Sequence, residues 1–154
     1  MPAERSTTLL EASAGTGKTF ALAGLVTRYL AEGVATLDQM LLITFSRAAS
    51  QELRDRVRRQ IVDAVQAFSD PAGVETNEII DYLRDGTPDV LAEREQNLRD
   101  ALAAFDAATI ATTHQFCQLV LRSLGGVAGD TDSGGVTLVE SLDELVTEIV
   151  DDLY

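Results

Sequence analysis

Residues 12–19 read Ala12-Ser13-Ala14-Gly15-Thr16-Gly17-Lys18-Thr19. The stretch fits the phosphate-loop pattern G-x-x-x-x-G-K-[ST], with alanine where the first glycine usually stands. Its glycines let the backbone curl so that several N–H groups point at one phosphate. The lysine then reaches the β- and γ-phosphates, and the threonine hydroxyl ligates Mg²⁺. A helix beginning right after the loop adds the positive end of its dipole. Lys18 is the only lysine in the chain; apart from His114, every other basic residue is arginine. A glycine-rich turn that binds nothing is the bland alternative, but such a turn has no use for Gly-Lys-Thr.

The flanks suit the loop. Thr7-Thr8-Leu9-Leu10 reads as a short strand before it, and Thr19 to Leu30 as the helix after it. Strand, loop and helix in that order are what the motif requires. Gly33 to Gln39 reads as a loop, and Met40 to Phe45 is an apolar run of strand length, suited to a parallel strand buried on both faces. Ala48 to Ala67 predicts a helix with Leu53, Val57, Ile61, Ala64 and Val65 on one side, ended by Asp70-Pro71-Ala72-Gly73. Two helices follow, Glu78 to Arg84 and Val90 to Phe105, the second with Leu91, Leu98, Leu102 and Phe105 in a stripe. Ala107 to Thr112 is a weaker strand, and His114 to Leu124 a helix burying Phe116, Leu119, Val120 and Leu124.

Gly125 to Gly135 is rich in glycine and aspartate and marks a boundary. Beyond it, Val136 to Glu140 reads as extended. Ser141 to Tyr154 reads as a helix opened by a capping box of Ser141 and Glu144. Strands alternating with helices imply an α/β fold with a parallel sheet flanked by helices. Only three strands fall within the first 112 residues, so the sheet looks incomplete.

At 154 residues, 45% of them apolar, the chain is one domain by length and can bury a core. Cys117 is the sole cysteine, which excludes an internal disulfide and suits a reducing compartment. No signal peptide is visible, and no apolar run approaches the ~18 residues of a membrane span. A cytoplasmic location is expected. The net charge of −13 argues against a general nucleic-acid coat protein. It leaves room for a local basic track in Arg47, Arg54, Arg56, Arg58 and Arg59, opposed there by Glu52 and Asp55. A solvated helix face would look the same.

Two further segments carry candidate chemistry. Thr44-Phe45-Ser46-Arg47 closes a strand at its carboxyl end, where ligands sit in open α/β sheets. An aromatic, a hydroxyl and an arginine there could stack a base and hold a phosphate, or Phe45 could simply cap the core. Thr112-Thr113-His114-Gln115-Phe116-Cys117 holds the only histidine and the only cysteine. Two ligands three residues apart fall short of a zinc site, and no nucleophile–base pair supports covalent hydrolysis.

Taken together, Glu11-Ala12-Ser13-Ala14-Gly15-Thr16-Gly17-Lys18-Thr19-Phe20, then Thr44-Phe45-Ser46-Arg47-Ala48-Ala49 with Glu52-Leu53-Arg54 and Arg56, then Thr112, His114, Phe116 and Cys117, resemble the UvrD/Rep group of superfamily 1 DNA helicases. Glu11-Ala12-Ser13 and His114-Gln115-Phe116-Cys117 resemble the RecB-like branch, subunits of bacterial recombination and repair helicase–nucleases. The arginine bias and Thr147 to Asp152 look actinobacterial. The resemblance covers nearly the whole chain and implies a RecA-like fold that uses ATP and Mg²⁺. It implies that Ala12, Ser13, Ala14, Gly15, Thr16, Gly17, Lys18, Thr19 and Phe20 bind the nucleotide. Lys18 and Thr19 would serve catalysis, and Thr19 would hold Mg²⁺. Thr44, Phe45, Ser46, Arg47, Thr112 and His114 would lie on the DNA track, and Arg56 matches a recurrent arginine without an assigned role. Single- and double-stranded DNA and the other subunits of a RecBCD-like complex are the implied partners, with no membrane.

Other elements of the family pattern are absent from the sequence. No glutamine precedes residue 10 to read adenine, and there is no Asp-Glu-x-Gln to hold Mg²⁺ and orient water. The chain therefore reads as an N-terminal fragment of a larger ATP-dependent helicase. Residues 1–124 would form a partial RecA-like ATP-binding domain, and 125–154 a linker and the start of a helical insertion. Such a fragment is expected to bind nucleotide weakly and hydrolyse almost none. The competing readings are a non-catalytic nucleotide-binding fragment and a small P-loop kinase.

Overall fold

The arrangement follows from where the apolar stripes fall. The computed structural model describes residues 7–9, 11, 17–70, 73–75 and 77–125, with side chains as far as 123. The chain divides into two units, Met1–Thr112 and Thr113–Tyr154. In the first, α1 (Lys18–Ala31) carries Ala23, Val26, Thr27 and Leu30 on its buried face. Thr27 is fully buried, and its hydroxyl donates to the Ala23 carbonyl at 2.9 Å, so the polar group is satisfied inside the helix. Gly24 faces α3 (Glu78–Leu83) so closely that a Cβ there would lie 2.9 Å from Ile79 Cγ1.

Strand β1 (Leu41–Thr44) leads into the long helix α2 (Arg47–Ser69), and α4 (Pro88–Ala103) precedes strand β2 (Thr109–Thr112). β1 and β2 pair in parallel, with Leu42 opposite Ile110 and Thr44 opposite Thr112. Helices α1, α2 and α4 pack on one another, and α2 also packs on both strands. Leu30, Leu42, Leu53, Val57, Ile61, Leu98 and Ile110 meet in one cluster. Each such side chain contributes about 2 kcal/mol on leaving water.

Several sequence expectations need correction. Thr7–Leu9 take no part in a strand, and Leu9 is 79% exposed, so nothing apolar holds that segment on the sheet. The sheet among the described residues therefore has two strands rather than three. β1 was expected to be buried on both faces, yet only Leu42 is buried. Leu41 and Ile43, pointing the other way, are 46% and 43% exposed, because the core lies on the Leu42 side. The expected loop up to Gln39 contains a single 3₁₀ turn, Leu37–Gln39. There Thr36 and Gln39 form a capping box and Leu37 is buried. α4 starts two residues earlier than the apolar stripe implies, because Pro88 sits in its first turn, where a missing N–H costs nothing. Phe105 is buried as expected, but in a 3₁₀ turn after α4.

In the second unit, α5 (Thr113–Gly125) matches the expected helix. The expected burial of Leu119 and Val120 does not hold, since they are 50% and 37% exposed. Phe116, Leu119 and Val120 do share one helix face, i, i+3 and i+4, but that face is left largely in solvent and Phe116 itself is only half-buried. The side chain of Leu124, the expected extended piece from Val136 to Glu140 and the helix from Ser141 lie outside the described residues.

Candidate functional site

α1 opens where the phosphate loop should hand over to a helix. Gly17, its N-cap, has φ +83°, a left-handed conformation that glycine adopts without a Cβ penalty. A Cβ at Gly17 would touch nothing within 4 Å, so the requirement lies in the backbone and not in space. Lys18 is the first helical residue and is exposed; Thr19 is half-buried, and Phe20 is 42% exposed. The first turn holds no acidic residue and receives no side-chain cap. Its N–H groups and dipole therefore suit an anion, and the hydroxyl and ammonium beside them fit a magnesium–nucleotide phosphate. Ala12 to Thr16, which would complete the loop, lie outside the described residues.

The second candidate segment is organised by hydroxyls. Ser46 caps α2, its Oγ accepting from the Ala49 N–H at 3.1 Å. The Thr44 and Ser50 hydroxyls are hydrogen-bonded to each other, and both lie 3.1 Å from the Ser46 carbonyl. Each carries one proton, so one serves the carbonyl while the other serves its neighbour. This clamp fixes the turn and leaves Phe45 101% exposed. Phe45 therefore does not cap the core, and its ring stands in solvent. Arg47 follows as the first residue of α2, also exposed.

The pairing of β1 with β2 sets Thr112 opposite Thr44, so two of the expected site residues stand side by side at the carboxyl ends of parallel strands. Thr112 is buried. His114 and Cys117 are both exposed on α5, in the other unit.

The arginine cluster on α2 does not form one track. Arg54 donates to the Ala108 carbonyl at 3.0 Å, and Arg54 and Arg58 both lie over the Phe105 ring, at 5.9 Å and 5.7 Å. Those two tie α2 to the approach to β2. Arg56 bonds Glu52 at 3.3 Å and, with Arg59, lines a cavity bounded also by Phe20. A turn of 100° per residue scatters neighbours around the helix.

Sequence reasoning missed Gln60. It is buried at 6% exposure, and its Nε2 has no hydrogen-bond partner. A signal was present: Gln60 lies three residues after Val57 and four before Ala64, a polar residue inside an apolar stripe.

At the far end of α1 a separate network holds the scaffold. Tyr82 donates to Glu32 Oε1 at 2.7 Å and accepts from Arg28 at 2.9 Å, while Arg28 bonds Glu32 at 3.0 Å. Burial pulls the Arg28 guanidinium down, but Glu32 and Tyr82 outweigh it and hold its pKa above the ordinary value.

Parallel strands that hand over to helices at their carboxyl ends, with Gly17-Lys18-Thr19 opening the first helix, define an α/β protein of the P-loop class. The chain belongs to the UvrD/REP helicase N-terminal domain family, which matches residues 1–153. Over 154 residues it is 70% identical to the RecBCD enzyme subunit RecB of Mycolicibacterium smegmatis. It is 64% identical over the same span to RecB of Mycobacterium tuberculosis. RecB of Chlamydia trachomatis is 34% identical over 114 residues, 73% of this chain. The expected likeness to RecB and to actinobacterial members is thereby borne out. The chain spans 14% of the length of the two mycobacterial relatives. No helix among the described residues is long and apolar enough to cross a membrane.

Proposed function

We propose that the chain is the ATP-binding part of the first motor domain of a RecB-like, ATP-driven DNA helicase. Residues 1–124 would belong to a RecA-like domain, with 125–154 leading into a helical insertion. Lys18 and the first turn of α1 hold the phosphates, and Thr19 holds Mg²⁺. Phe45 and Arg47 face the path of single-stranded DNA, Thr44, Ser46 and Thr112 shape the strand ends beneath it, and His114 belongs to the same DNA-contacting set. ATP hydrolysis drives translocation along that strand in the assembled protein, which works in the cytoplasm with the other subunits of a RecBCD-like complex.

The observation that carries this reading is the fully exposed Phe45 on a hydroxyl-clamped turn at the end of β1. An aromatic held in water at the carboxyl edge of a parallel sheet is a stacking platform for a base. Phosphoryl transfer also needs an oriented water and a second Mg²⁺ ligand, and no Asp-Glu-x-Gln occurs in this sequence. The chain by itself therefore binds nucleotide weakly and turns over almost none.

The test is nucleotide binding and DNA-stimulated hydrolysis, in this chain and in the longer polypeptide that contains it. Lys18→Ala should weaken magnesium–ATP binding by about 2 kcal/mol, the worth of a charged hydrogen bond, without lowering the melting temperature. ATP binding that ignores Lys18, or brisk hydrolysis by these 154 residues alone, would overturn the reading.

A further inference from the structure

Ser50, Arg54 and Arg58 stand four residues apart on α2 and so form one row along the helix. Each is tied to a different element. The Ser50 hydroxyl bonds that of Thr44, at the end of β1. Arg54 Nη2 donates to the Ala108 carbonyl at 3.0 Å, one residue before β2 begins. Arg58 lies 5.7 Å over the ring of Phe105, in the turn after α4. β1 is held on β2 by its own ladder, but α2 has no ladder. Its apolar stripe supplies contact without direction, whereas a hydrogen bond to one carbonyl fixes a point along the helix axis.

We propose that Arg54 is a positioning residue for single-stranded DNA: its bond to the Ala108 carbonyl holds α2 where Phe45 and Arg47 engage one base and its phosphate together. This rests on the reading of Phe45 and Arg47 as DNA contacts. Those two residues flank Ser46, where β1 passes into α2, so the direction of α2 sets the distance between the ring and the guanidinium. Arg54 lies seven residues beyond Arg47, two turns and about 10 Å of helix, so a slip at Arg54 is carried to the start of α2. Arg54 itself is half-buried, with its head over the Phe105 ring at 5.9 Å. A residue needed only to cover that ring could be apolar. Arginine is required where one planar head must lie over a ring and also donate to a carbonyl. Contact side chains of a binding site need such support to keep their geometry.

The experiment measures single-stranded DNA affinity over a range of salt concentrations, in the longer polypeptide that contains this chain. Arg54→Met should weaken binding by about fivefold, the low end of what one base–aromatic stack is worth. The slope of log affinity against log salt should stay as in wild type, since no phosphate contact is lost. Arg47→Met supplies the contrast and should flatten that slope by about 0.7, as loss of one phosphate contact on a single strand does. Magnesium–ATP binding without DNA should be unchanged in Arg54→Met. Arg54→Lys, which keeps a donor for the carbonyl, should recover most of the loss. A flatter slope in Arg54→Met, or a lysine variant as weak as the methionine one, overturns the proposal. If Arg54→Met does not fold, Arg54→Gln decides: an unchanged slope supports the tie and a flatter one overturns it. Should Phe45→Ala weaken binding while Arg54→Met binds as wild type, the tie is idle and the DNA site stands. DNA binding indifferent to both Phe45→Ala and Arg47→Met overturns the site and the tie together.

Discussion

Thr44 and Thr112 face each other as the last residues of two parallel strands, and their backbones turn away from the sheet at the same level. Thr44 does not use this position to meet a ligand directly. Its hydroxyl is engaged with Ser50 and the Ser46 carbonyl, and what reaches solvent is the next residue, Phe45. The strand end thus acts as a mount, and the aromatic is what it presents.

Ser50→Ala removes one corner of that mount. It leaves the Thr44 hydroxyl with the Ser46 carbonyl alone, so the fold should lose about 1 kcal/mol in urea unfolding. Single-stranded DNA affinity should fall with it, although residue 50 is buried and cannot touch the strand. Unchanged DNA binding at lowered stability would show that Phe45 needs no support.

Phe45→Ala separates binding from folding. The side chain is 101% exposed, so the melting temperature should hold. Affinity for single-stranded DNA should drop by about 1–3 kcal/mol, the usual worth of one base–aromatic stack. Fluorescence anisotropy with a labelled oligonucleotide reads it directly.

Gly24→Val tests the close approach of α1 and α3. Its Cβ would sit 2.9 Å from Ile79 Cγ1, near the stem of that side chain rather than its tip. The substitution should destabilise by about 1–3 kcal/mol through overpacking. Adding Ile79→Ala should return part of that loss, and a strictly additive double variant would refute the clash.

Arg94→Met keeps the aliphatic stem and removes the head that donates to the Tyr82, Leu83 and Asp85 carbonyls at 3.4, 2.9 and 2.9 Å. It also removes one of the two guanidinium groups over Tyr82, at 5.4 Å, leaving Arg28 at 4.3 Å. A loss of about 1–3 kcal/mol is expected from carbonyls left short of a donor. Denaturant midpoints of the two proteins measure it.

Much of the scaffold was legible because its signals are local. The stripe Leu53, Val57, Ile61 and Ala64 specified α2, and Gly17-Lys18-Thr19 specified where α1 begins. What was not legible depends on partners distant in sequence. Nothing near Arg54 announces that it will bond Ala108, 54 residues away, so the arginines read as one basic track when two of them brace Phe105. Leu41 and Ile43 look fit for a fully buried strand, but which face the core covers is decided by α2 and β2. Phe45 left two outcomes open for the same reason. Gln60 was overlooked although its place in the stripe marked it, since one polar residue in a helix looks like a tolerated defect until its amide is found without a partner.

Helix α3 is six residues long, too short to persist alone in water. Both of its ends are closed by side chains. Asn77 Oδ1 accepts from the Ile79 and Ile80 N–H groups at 3.0 and 3.1 Å, and Arg94 reaches over from α4 to its final carbonyls. Helix α3 therefore keeps its last carbonyls satisfied only while Arg94 of α4 is in place. In amide hydrogen exchange its protons should be released whenever the start of α4 frays, at a free energy below that of global unfolding. The two helices should open as one cooperative unit, with Arg94 as the latch.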